Sequence, residues 1–166
     1  MAIVVESGAG LSNAESYVSV ADATTYHAAR GNAAWGLLAS DTIREQLLRK
    51  AVDYMTQAYG QRWKGERINS TQALDWPRYD VVANGYYVPS DSVPLGVAHA
   101  CAELALRAAT VSLAPDVTRL KKRVKVGPIE TEYEPGSSAL PRFTAVDNML
   151  AAYLGGGSMM VAVVRA

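Results

Sequence analysis

Apolar residues recur at steps of three and four between Ser40 and Gly60, and this period is typical of an α-helix with one buried face. The repeating positions are Ile43, Leu47, Ala51, Tyr54, Met55 and Ala58. A chain of 166 residues is about one domain long, so this face is expected to lie in a single core. The sequence therefore predicts a mainly α-helical bundle.

Three other segments complete the predicted bundle, at residues 20–30, 95–113 and 141–154. Ser19 and Asp22 have the spacing of a capping box, which satisfies free amides in the first turn of a helix. Ser92 and Pro94 predict the start of the helix at 95–113. Proline is tolerated in a first turn because the amide that it lacks would have no partner within the helix. Few charges interrupt that helix, so we expect it to be central.

Two short β-hairpins are predicted beside the helices. Asn84-Gly85 lies between two apolar runs, and both residues tolerate the positive φ of a tight turn. A second turn at Gly127-Pro128 would align opposite charges across the strands. The pairs are Lys121 with Glu134, Arg123 with Glu132, and Lys125 with Glu130. We expect this charged hairpin to contact neighbouring subunits.

Both ends of the chain are predicted to be extended arms. Residues 1–18 contain Gly8 and Gly10, which we interpret as hinges. We place one domain at residues 1–154 and a glycine-hinged arm at residues 155–166. Residues 158–166 are apolar on both faces, would span roughly 30 Å when extended, and need cover on both sides. The predicted docking residues are Met159, Met160, Val161, Val163 and Val164.

That arm has two interpretations. It could add a strand to the sheet edge of another protein, which we favour, or fold back on the hairpins of its own chain.

Composition argues against several classes of function. Sixteen basic and sixteen acidic residues give no net charge, so no overall field attracts a polyanion or an anionic membrane. The single cysteine, Cys101, lies in an apolar run, and no run approaches the length of a membrane span. His27 and His99 are two isolated histidines, which we interpret as buried or capping residues. We expect no catalysis, no cofactor and no metal site.

Three glutamates occupy alternate positions of one strand, so they lie on one face and could bind a metal ion. They are Glu130, Glu132 and Glu134. The facing cations favour ion pairs instead.

Two stretches, residues 59–67 and 76–79, interleave aromatic and basic residues, the arrangement that stacks and neutralises single-stranded nucleic acid. The candidate DNA contacts are Arg62, Trp63, Lys64 and Arg67. The alternative is that Trp63 and Trp76 anchor a long loop while the cations bond loop carbonyls, and the neutral chain favours it. The basic run at residues 119–125 could contact DNA phosphates, but the facing glutamates favour a solvated or subunit-facing hairpin.

Several motifs together resemble a phage and prophage family described as DnaT-like single-stranded DNA-binding proteins. They are Val4-Val-Glu-Ser-Gly8, Ser16-Tyr-Val-Ser-Val-Ala-Asp22, Arg30-Gly-Asn32, Tyr59-Gly-Gln-Arg-Trp-Lys-Gly65, Gln72-Ala-Leu-Asp-Trp-Pro-Arg78 and Lys125-Val-Gly-Pro-Ile-Glu130. In size and order of elements, the members of this family resemble the head-to-tail adaptor (connector) subunits of tailed phages.

The second resemblance implies a structural protein of the virion neck, assembled in the host cytoplasm. Adaptors form rings, typically of twelve subunits, beneath the portal protein and above the next neck or tail-completion protein. Genomic DNA passes through the ring without being read, and no membrane is involved. The alternative is a single-stranded DNA-binding module, and a third interpretation is a tail terminator or minor tail protein.

Overall fold

The computed structural model describes residues 2–116 and 142–155, together with the backbone of residues 123–126 and 129–132. The helices are α1 (Val20–Ala28), α2 (Ala33–Gly36), α3 (Asp41–Tyr59), α4 (Leu95–Ala108) and α5 (Thr144–Leu150), and a 3₁₀ turn follows at Ala151–Tyr153. The strands are β1 (Glu66–Arg67), β2 (Arg78–Tyr79), β3 (Val82–Ala83), β4 (Tyr86–Tyr87), β5 (Arg123–Val126) and β6 (Ile129–Glu132). The mainly helical prediction with short hairpins is confirmed.

Side-chain caps start the first and third helices where the sequence predicts. The Ser19 hydroxyl accepts from the Asp22 amide at 3.0 Å and donates to the Asp22 carboxylate at 2.6 Å. The Ser40 hydroxyl accepts from the amide of Ile43 at the start of α3. α1 ends at Ala28, and Gly31 has a φ of +69° just beyond it. Local chemistry therefore sets these boundaries.

The core lies mainly between α3 and α4. Leu48 and Met55 of α3 and Leu104 of α4 are almost completely buried. Ile43 was expected in the buried face, but it is 37% exposed because it lies in the first turn of α3, at the edge of the core. None of the helices in the part of the chain that the structure describes is long and apolar enough to cross a membrane.

α4 and α5 are shorter than the sequence predicts. α4 ends at Ala108 instead of Leu113, and beyond it the Thr110 hydroxyl donates to the Arg107 carbonyl at 3.2 Å. Such local side-chain bonds compete with continued helix. At the start of α4, Pro94 is the N-cap, while the Ser92 hydroxyl bonds Pro89 and does not cap. The helix predicted at 141–154 is α5 followed by the 3₁₀ turn.

The part of the chain that the structure describes contains three strand pairs, and each is antiparallel. At the first predicted turn, Asn84 has a φ of 52° and Gly85 a φ of 86°, and Val82 pairs with Tyr87. In the second hairpin, Arg123 pairs with Glu132 and Lys125 with Glu130, which confirms the predicted register. Lys121 and Glu134 lie outside the described residues.

The β1–β2 pair was not predicted from the sequence. It joins Arg67 to Arg78 across the loop between α3 and the first hairpin.

The N-terminal segment packs on the domain, so the interpretation of Gly8 and Gly10 as hinges is wrong. The buried Glu6 carboxylate accepts hydrogen bonds from the amides of Gly8, Gly10 and Leu11, at 2.8 to 2.9 Å. A Cβ on Gly8 would lie 1.9 Å from the Asp91 carbonyl oxygen. Gly8 therefore allows a close approach of two backbones, whereas a Cβ on Gly10 would meet the side chains of Ile68 and Asn69.

The described chain ends beside the loop that follows α3. The Gly155 amide donates to the Arg62 carbonyl at 2.7 Å, and Leu154 forms an antiparallel bridge with Trp63. Residues 156–166 lie outside the described residues, and with them the predicted docking residues from Met159 to Val164. The boundary proposed at residue 155 stays a prediction.

Candidate nucleic-acid interface

The two tryptophans of the loop between α3 and β3 are part of the core. Trp76 is completely buried, and Trp63 is 7% exposed. Their rings meet edge to face at 5.7 Å, and the Trp63 indole donates to the Asp75 carboxylate at 3.3 Å. Since stacking requires an open ring face, Trp63 does not offer a base a platform in this structure.

Two arginines of the same loop bond its carbonyl oxygens. Arg78 is 8% exposed and donates to the carbonyls of Lys64, Gly65 and Asp75. Burial lowers the pKa of its guanidinium. Arg67 donates to the carbonyls of two residues further along the loop, at 2.9 Å each from Nη2. These cations hold the loop in shape.

The other two predicted DNA contacts lie nearer to solvent. Arg62 is exposed, and its guanidinium carbon lies 5.7 Å from the centre of the Tyr59 ring. Lys64 is half-buried, and its amine donates to the carbonyls of Val82 at 3.1 Å and Ala152 at 2.8 Å. Lys64 therefore places a positive charge at the base of the β3–β4 hairpin.

That hairpin presents two neighbouring tyrosines to solvent. Tyr86 is 79% exposed and Tyr87 is 81% exposed. Tyr79, three residues before Val82, is 39% exposed and donates its hydroxyl to the Glu66 carboxylate at 2.7 Å. This bond to the Glu66 anion raises the pKa of Tyr79. We call Lys64, Tyr79, Val82, Tyr86 and Tyr87 the hairpin surface.

Sequence reasoning missed Tyr86 and Tyr87 as functional candidates. A strand with one buried face would hide one of two adjacent side chains. β4, however, is two residues long and pairs with β3 alone, so neither Tyr86 nor Tyr87 is covered. The signal in the sequence was an aromatic pair directly after an Asn-Gly turn. Open aromatic faces beside an ammonium group can stack on bases and pair with a phosphate.

The histidines and the cysteine serve the interior of the domain. His27 is fully buried between the Ala102 carbonyl and Asn32, and burial lowers its pKa. His99 stacks on Tyr26 at 4.4 Å, and partial burial lowers its pKa. Burial raises the pKa of the Cys101 thiol to about 12. Across the described ranges, no three His, Cys, Asp or Glu side chains converge as metal ligands would.

A family model matches the chain over residues 1–166, and its description is "Putative DnaT-like ssDNA binding protein". The chain belongs to this family. No curated protein and no solved structure matches it.

Membership of the DnaT-like family corrects the main functional prediction from the sequence. The interpretation as a head-to-tail adaptor is wrong, because the matching family is described by single-stranded DNA binding, which was the alternative. The adaptor interpretation came from a resemblance in size and order of elements, and it gave contacts with other proteins to the C-terminal arm and the second hairpin. The arm lies outside the described residues, and of the hairpin the structure describes only strand backbone. The ring of subunits, the portal contact and the place in the virion stay predictions.

Proposed function

We propose that this protein binds single-stranded DNA through the hairpin surface, without reading the base sequence. Membership of the DnaT-like family supports the ligand class. Support for the surface comes from the pair Tyr86 and Tyr87, each about four-fifths exposed on one short strand. Every base has an aromatic face, so stacking on tyrosine tolerates any sequence.

The position of Lys64 supports contact with the DNA backbone as well as with the bases. Its amine already bonds two carbonyls, and an ammonium group has three donors, so one donor remains for a phosphate. Arg62, which is exposed, adds a second cation on the same loop. Duplex DNA hides its base faces within the stack, so this surface favours unpaired strands.

The neutral charge of the whole chain predicts a modest dependence of binding on salt. Each phosphate neutralised on single-stranded DNA contributes a slope of about −0.7 to a plot of log affinity against log salt. With Lys64 and Arg62 as the cations, we expect a slope between about −0.7 and −1.4. Stacking then carries most of the affinity.

Fluorescence anisotropy with a short labelled oligothymidylate tests the proposal. Stacking is worth about 1–3 kcal/mol per base, so the double variant Tyr86→Ala and Tyr87→Ala should bind at least about tenfold more weakly. The matched control is Tyr86→Phe with Tyr87→Phe, which keeps both rings and should bind like the parent protein. Leu37→Ala changes a side chain that is 84% exposed elsewhere and should also have no effect.

Two results would contradict the proposal. One is an affinity for oligothymidylate that is unchanged in the double alanine variant. The other is equal affinity for a duplex of the same length, since stacked bases offer the tyrosines no face.

A further inference from the structure

Tyr79 and Glu66 lie opposite each other in the β1–β2 pair. Residues directly opposite in an antiparallel pair place their side chains on the same face. The Tyr79 hydroxyl donates to Oε2 of Glu66 at 2.7 Å, and both side chains are exposed. The hairpin surface therefore has an aromatic ring with a carboxylate at its hydroxyl end.

No cation neutralises this carboxylate within residues 2–116 and 142–155. No lysine or arginine in those ranges forms an ion pair with Glu66, and its Oε1 atom accepts no hydrogen bond there. The neighbouring Arg67 donates instead to the carbonyls of Gln72 and Leu74. Glu66 also borders an open cavity of about 520 Å³, so a ligand can reach it.

A negative charge on a surface that binds DNA repels phosphates. The edge of a base is a more favourable contact for it, because an ionised carboxylate only accepts hydrogen bonds. Cytosine, adenine and guanine each carry an exocyclic amino group that donates, and glutamate is a known partner of the cytosine amino group. Thymine and uracil carry carbonyl oxygens on both sides of a single ring N–H, and those oxygens repel a carboxylate.

We propose that Glu66 makes the hairpin surface prefer bases with an exocyclic amino group over thymine and uracil. A pyrimidine stacked on Tyr79 extends its exocyclic group beyond the ring, as the phenol extends its hydroxyl, and so towards Oε1 of Glu66. The preference concerns the chemical class of the base at Tyr79, whereas stacking on Tyr86 and Tyr87 accepts any base. It operates only if DNA binds at this surface, so it rests on the proposed function.

The test compares oligodeoxycytidylate with oligodeoxyuridylate of the same length, by fluorescence anisotropy at neutral pH with the full chain. The two bases differ only in an amino group or a carbonyl at one ring carbon and in the proton on the adjacent ring nitrogen. The parent protein should bind the cytidylate at least about threefold more tightly, which is the effect of one hydrogen bond.

Glu66→Gln should bring the two affinities close together. The amide that this variant introduces both donates and accepts, so it can bond the amino group of cytosine or the carbonyl of uracil. Its oxygen can still accept from the Tyr79 hydroxyl, so the ring keeps its place.

The matched control is Asp80→Asn, which removes a second negative charge that acts on Tyr79. Asp80 is exposed and forms no hydrogen bond with the Tyr79 hydroxyl, and its φ of 57° is one that asparagine tolerates. This variant should bind both oligonucleotides somewhat more tightly and keep the parent's ratio of affinities. Circular dichroism checks that both variants are folded.

Three results would overturn the role of Glu66 and leave the proposed function standing. They are equal binding of the two oligonucleotides by the parent, a preference that persists in Glu66→Gln, and loss of the preference in Asp80→Asn as well. If the parent binds neither oligonucleotide, the proposed function itself is wrong, and the role of Glu66 is wrong with it.

Discussion

The loop at residues 60–78 and the β3–β4 hairpin are both rich in aromatic residues, but they place them in opposite environments. In the loop, Trp63 and Trp76 pack edge to face within the core, and Arg78 bonds three carbonyls behind them. In the hairpin, Tyr86 and Tyr87 face solvent. The comparison teaches that an aromatic and basic sequence does not by itself mark a DNA-binding surface. Exposure decides which aromatic residues are available to a ligand.

The largest effect that would test this contrast is expected at Trp76. Replacing a fully buried tryptophan with alanine costs about 3–5 kcal/mol, so Trp76→Ala should lower the free energy of unfolding by that amount in urea titrations. Trp76→Phe is the milder comparison variant and should lower the free energy of unfolding less. The Trp76 indole nitrogen bonds none of the described residues, so this substitution breaks no hydrogen bond there. A cost below about 1 kcal/mol for the alanine variant would mean that the loop is not part of the core.

A second prediction separates the two arginines of the loop. Arg78→Met removes the charged donor from three buried carbonyls. It should lower the free energy of unfolding by about 3 kcal/mol. Arg67→Met also removes bonds to carbonyls, but Arg67 is exposed and water can replace it, so about 1 kcal/mol is expected. Thermal and urea unfolding of the two variants measure the difference. Equal costs would show that burial does not distinguish these residues.

The smallest effect on stability is expected at the hairpin. Tyr86→Ala with Tyr87→Ala should change the free energy of unfolding by no more than about 0.5 kcal/mol per residue, because both side chains are exposed. The same double variant is the one expected to weaken DNA binding most. A large loss of stability would mean that Tyr86 and Tyr87 pack in the core as Trp63 and Trp76 do. The two regions would then not differ in the way described above.

Sequence reasoning succeeded where a few neighbouring residues decide the structure. The caps at Ser19 and Ser40 each bond an amide three residues away. The Asn84-Gly85 turn needs positive φ at both residues, and the sequence supplies two residues that tolerate it. Register in the second hairpin follows from matching opposite charges.

Sequence reasoning failed where contacts are distant along the chain. The Tyr17 hydroxyl accepts from the Asp75 amide, 58 residues away, and Glu6 converts a glycine-rich segment into a packed loop. The candidate site was missed for a related reason. Alternation of exposure along a strand assumes a sheet that covers one face, and among the described residues no third strand pairs with β3 or β4.

The buried thiol of Cys101 has a practical consequence for studying the hairpin. It is the sole cysteine of the chain, it is inaccessible, and burial raises its pKa to about 12. Thiolate is the form that reacts with maleimides, so the parent protein should take up almost no label under native conditions. A Val82→Cys variant could then carry one fluorophore on the hairpin surface. Its emission would report the binding of DNA, because Cys101 would carry no label.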